Sequence, residues 1–130
     1  MSDYGYSVLV DEGYDEAVVR ARLALRGEGF SIITEMHVGG VLGPEAGAER
    51  QYLFMGAWNS REIEQLDGDI RVAMHIPCNV VVQEQGSTAY VAALDPVDAL
   101  EEEGVSVPPA AAVAARDALG RALRRVAAPA

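Results

Sequence analysis

Two strand-like runs meet at the short reversal Gln85-Gly86-Ser87, and this limits the fold more than any other feature of the chain. Val80-Val81-Val82 lies before the turn and Thr88 to Leu94 after it, and so short a link can join only antiparallel neighbours. The run before the turn reaches back toward Val72 and is interrupted at Pro77, while the triple Val predicts a segment buried on both faces or nearly so. A local hairpin of this kind favours an α+β sandwich over an arrangement of regular βαβ units.

The other half alternates between the two periodicities. Tyr4, Tyr6, Val8 and Val10 recur every second residue, as in a strand with one buried face. After Gly13, Tyr14, Val18, Ala21 and Leu25 form one helical stripe, with Glu16 and Arg20 paired on its outer side and Gly27 and Gly29 ending it. Residues 30–38 return to period two and place Glu35 and His37 on one face. Residues 39–50 hold four Gly and one Pro in a connection that could serve as a lid. The run from Gln51 to Trp58 is apolar on both sides and reads as a central strand. Asn59 with Glu62 has capping-box spacing, and Ile63 and Leu66 give a short helix its buried side before Asp67-Gly68. Asp95-Pro96 ends the last strand, and Asp98 to Glu103 is an acidic turn of helix. A final helix from about 109 to 127 carries Ala112, Ala115, Leu119, Ala122 and Val126 on its apolar stripe. The order β-α-β-β-α-β-β-α predicts an α+β two-layer sandwich, with helices packed on one face of a mainly antiparallel sheet. At 130 residues the chain is expected to be one domain, 1–130.

Composition removes several chemistries. All 10 basic residues are Arg, so no Schiff-base lysine and no P-loop lysine exists. Two His and one Cys cannot make a four-ligand Cys/His zinc site or an internal disulfide, and no metal or cofactor is expected. The chain lacks the G-x-G-x-x-G, G-x-S-x-G and H-E-x-x-H patterns. The start Met1-Ser2-Asp3-Tyr4 is not that of a signal peptide, and the weakly polar stretch Val105 to Ala115 is broken by Pro108 and Pro109. These features predict a soluble, cytoplasmic protein with no membrane partner. The net charge of −10 argues against nucleic acid. Arg116, Arg121, Arg124 and Arg125 oppose only Asp117 in residues 105–130, so the last helix is expected to dock on its own acidic body.

Several pieces together resemble a known family, the bacterial and archaeal domain of unknown function 302. They are Tyr4-Gly5-Tyr6-Ser7, Tyr14-Asp15-Glu16-Ala17-Val18, Gly29-Phe30 with Thr34-Glu35, Gly56 with Asn59, Ile76-Pro77-Cys78-Asn79-Val80-Val81-Val82, and Asp95-Pro96. They run in the family's order over residues 4 to 98, and the Pro-Cys-Asn-Val-Val-Val string is the most specific. The resemblance implies a small α+β domain, often a stand-alone protein and a homodimer, with no established activity. Relatives often carry an acidic residue near His37, a Cys near Trp58 and a Pro near Ser60, and this chain departs from all three. A two-thiol mechanism within one chain is therefore unavailable.

The candidate chemistry is limited to a few residues. Cys78 is the strongest nucleophile and His75 lies three residues upstream, but regular alternation puts them on opposite faces unless Pro77 re-aims one. The alternative is a small core thiol. Glu35 and His37 suit an acid/base pair or two metal ligands, or equally an ordinary polar sheet face. If the second and fourth strands were neighbours, Glu35, His37, His75 and Cys78 could converge on one metal. Asn59 suits an N-cap or an anion site, and Trp58 a core position, an interface or a small-molecule pocket. The expected function is a homodimeric, non-catalytic module binding a small ligand or a protein partner, with Trp58, Asn59, Cys78 and His37 as candidate binding residues. A thiol-dependent or redox enzyme using Cys78 is the alternative, and purely structural association the third reading.

Overall fold

The computed structural model describes residues 6–39, 50–59, 70, 78–105 and 110–127. Among these residues there are five strands: β1 (Tyr6–Val10), β2 (Phe30–Val38), β3 (Tyr52–Asn59), β4 (Cys78–Gln85) and β5 (Thr88–Ala93). The helices are α1 (Tyr14–Gly27), α2 (Pro96–Glu102) and α3 (Ala110–Ala127). The strands form one sheet in the order β1-β5-β4-β3-β2, with every neighbouring pair antiparallel. This is the expected α+β sandwich. The short helix expected after Asn59, the strand residues before Cys78, His75 and most of the Gly-rich 39–50 connection lie outside the described residues.

Local chemistry accounts for the breaks between elements. The β4–β5 hairpin turns through Gly86 at φ +61°, with the Thr88 hydroxyl donating to the Gln85 carbonyl at 2.9 Å. Gly13 precedes α1 at φ +96°, and a Cβ there would stand 3.2 Å from the Ser87 carbonyl oxygen, so glycine lets the chain pass close to that hairpin. Asp95 does more than end a strand. Its carboxylate accepts from the Val97 and Asp98 amides at 2.8 and 3.3 Å, capping α2 with Pro96 in the first turn. The helix thus starts earlier than the acidic run alone implies.

The core lies between the sheet and the α1–α3 pair. Tyr14, Val18, Ala21 and Leu25 of α1 are buried, as are Leu119, Ala122 and Val126 of α3, against Leu53, Val80, Val82 and Val91 of the sheet. Small residues on both helices let them approach closely. Two ionic contacts fasten α3 to α1. The Glu28 carboxylate takes Arg121 at 2.8 Å and Arg125 at 3.1 Å, and a Cβ on Gly27 would lie 2.5 Å from the Arg125 guanidinium. In the same last turn of α3 the Val126 carbonyl, a free acceptor of the helix end, accepts at 3.2 Å from Arg20, whose guanidinium is also paired with Glu12 and Glu16. Among the described residues no helix is long and apolar enough to cross a membrane.

Candidate functional site

Alternation along each strand divides the candidate residues between the two faces of the sheet. Glu35 and His37 share a face, as their spacing predicts, and it is the helix-covered side: they stand opposite the buried Met55 and Leu53. Arg22 of α1 reaches Glu35 with both Nε, at 3.0 Å, and Nη2. The Arg22 guanidinium beside Glu35 holds its carboxyl below the usual carboxylate range, mainly by hydrogen bonding. His37 Nε2 is 3.9 Å from the same carboxylate, with its side chain 64% exposed. A general base works best with its pKa near the working pH, and Arg22 moves Glu35 away from that condition while occupying its oxygens. Arg22 is the partner that sequence spacing missed, because its reach depends on how α1 crosses the sheet.

Cys78 opens β4 on the same helix-covered side, opposite Ala57, and is 4% exposed among the core residues. A thiol placed there packs as a small hydrophobe and is out of reach of a soluble substrate. The strands carrying Glu35 and Cys78 are not neighbours, since β3 runs between them. Strand spacing and register put His37 and Cys78 roughly 16 Å apart. The four-residue metal convergence is thus corrected: its condition, adjacency of those strands, is not met. Among the described residues no group of three His, Cys, Asp or Glu side chains is placed to hold a metal ion.

Trp58 and Asn59 fall on opposite faces. Asn59 pairs with Phe30 at the end of β3, and its side-chain nitrogen lies 3.3 Å from where a Gly29 Cβ would be. Trp58, opposite Ser31, looks to the other side of the sheet. The four proposed binding residues therefore separate into Asn59, Cys78 and His37 on one side and Trp58 on the other. The core itself leaves a void of about 10 Å³ among Ala21, Leu25, Val80, Val91, Leu119 and Leu123, which is too small for a ligand and offers a water no polar partner.

The face that carries Trp58 is the unusual surface. The described helices pack on the opposite side, so its rows are uncovered by them. One row runs Leu9, Tyr90, Gln83, Tyr52, Val38, and the next Ser7, Ala92, Val81, Phe54, Met36. Asn79, Gly56 and Thr34 continue it, with Thr88 and Trp58 at opposite ends. Tyr52 and Phe54 stack with ring centroids 5.8 Å apart. Met36 is 59% exposed, Leu9 46%, Tyr90 41% and Phe54 38%. None of these positions is Asp, Glu, Arg or His. The sequence signal was present in β3, which is apolar on both sides, but it reads equally as burial within the chain.

The comparisons with known proteins agree with this fold. A family model described as the domain of unknown function DUF302 matches residues 6–126. A crystal structure of an uncharacterised conserved DUF302 protein from Bacillus stearothermophilus is similar at TM-score 0.79 and 23% identity, over 96% of this chain and 99% of that one. No curated protein matches.

Proposed function

Because the chain belongs to the DUF302 family, whose domain has no assigned function, the reading has to come from its own surface, and we propose a homodimeric, non-catalytic module that works by association through the open face of its sheet. The observation that supports this is the absence of charge from the described rows of that face. Solvated surfaces carry roughly a quarter to a third charged residues, so about fifteen such positions would ordinarily hold roughly four. This chain has 20 acidic and 10 basic residues and places none of them at these fifteen positions, Arg50 standing at the rim where it donates to Gln85 at 3.0 Å. Exposed apolar surface of this extent marks an interaction site in a folded protein. The same surface, with Trp58 at its end, is where a small ligand or another protein would stack.

The test is the mass of the protein in solution by light scattering across a dilution series. The reading predicts twice the 13.8 kDa chain mass, falling toward one chain only on dilution. A single-chain mass up to millimolar concentration contradicts it.

A further inference from the structure

We propose that the second copy seats on the open face itself, sheet against sheet, so that the dimer is a four-layer α/β/β/α sandwich centred on Val81; this rests on the homodimeric reading above. Val81 lies on β4, the middle strand of five, between Phe54 and Ala92. Two antiparallel sheets stack about 10 Å apart with strands within about 30° of one another, and a two-fold axis through such a centre matches the face to its own image.

Three observations favour this occupant. The first is area. Strand spacing and rise give the sheet a flat extent of roughly 24 Å by 24 Å, or roughly 600 Å², and side-chain relief brings this toward the roughly 800 Å² per partner of a standard stable interface. The second is charge. Each copy carries −10, so two copies meet most closely across a surface low in charge, and the described rows of the open face hold none. The same acidity repels phosphate backbones and anionic bilayers, and a basic partner is drawn to the acidic body in preference to an uncharged face. The third is the state of the edges. β2, one of the two edge strands, has a register irregularity between Ile32 and Thr34. Such an irregularity turns an edge away from pairing, which disfavours edge-to-edge assembly along β2 and favours the face.

The test uses the full chain with Phe54→Arg and Tyr90→Arg on the face, and Leu23→Arg as a control on the outer surface of α1. All three side chains are exposed in the single chain, so a charge there is compatible with the folded monomer. Circular dichroism and thermal melting check the fold, and light scattering or sedimentation reads assembly. The face variants are expected to weaken self-association at least about 100-fold, with the control unchanged. A second measurement needs no substitution. Trp58 is the one Trp of the chain and lies on the face, so its quenching by acrylamide in the wild-type protein is expected to rise as dilution separates the dimer. A wild-type dimer whose folded face variants still dimerise, or whose Trp58 quenching is the same before and after dissociation, overturns the stacking while leaving the homodimer standing. A wild-type chain that stays single at millimolar concentration overturns both.

Discussion

At Glu35 the charge state follows from one neighbour. With its folded-state pKa lowered by Arg22, the unfolded chain binds the extra proton first, so stability rises with pH across the window between the folded and unfolded values. The pair's contribution is present above the ordinary carboxylate pKa and is lost as pH falls through the depressed one. Urea unfolding at a series of acid pH values should therefore show a shallower loss of stability for Glu35→Gln than for the wild type over that window. Cys78 tests the chemistry the fold argues against. Buried at 4% exposure, it should resist iodoacetamide in the native protein and label once denaturant is added. Rapid native labelling that steepens with pH would restore the thiol-enzyme reading. At this scale the sequence was informative about faces and not about partners. The spacing of Glu35 and His37 put them on one side of β2, because a strand alternates strictly. Arg22 could not be inferred, because its distance from Glu35 depends on a helix crossing the sheet.

Elements were the most legible level. α1 and α3 carry apolar stripes at helical spacing, and every residue of those stripes is buried. The β4–β5 hairpin follows from Gly86 and the flanking alternation. The sheet order was less accessible: β1 crosses to pair with β5, a contact between opposite ends of the strand sequence that no local signal encodes. α3 covers that β1–β5 half of the helix-side face, with Leu119 fully buried at its centre. Leu119→Ala should cost about 2–5 kcal/mol in urea or thermal unfolding. A cost below about 1 kcal/mol would mean that α3 adds little to the core.

For the molecule as a whole, the two faces of the sheet have different roles. One is closed by the chain's own helices and absorbs Cys78, Val80 and Val82. The other keeps Trp58, Phe54, Met36 and Tyr90 without charge and without a described helix over it. The apolar character of both sides of β3 was visible in the sequence, but a residue pattern records that a face avoids water and not whose atoms cover it. Hydroxyl-radical footprinting of the wild-type protein above and below its dissociation concentration tests the central claim most directly. Met36, Phe54 and Tyr90 should be protected in the concentrated sample and oxidised in the dilute one, while Leu23 on α1, 63% exposed, is modified equally in both. Equal oxidation of the three face residues at both concentrations, in a protein shown by mass to be dimeric when concentrated, would contradict it.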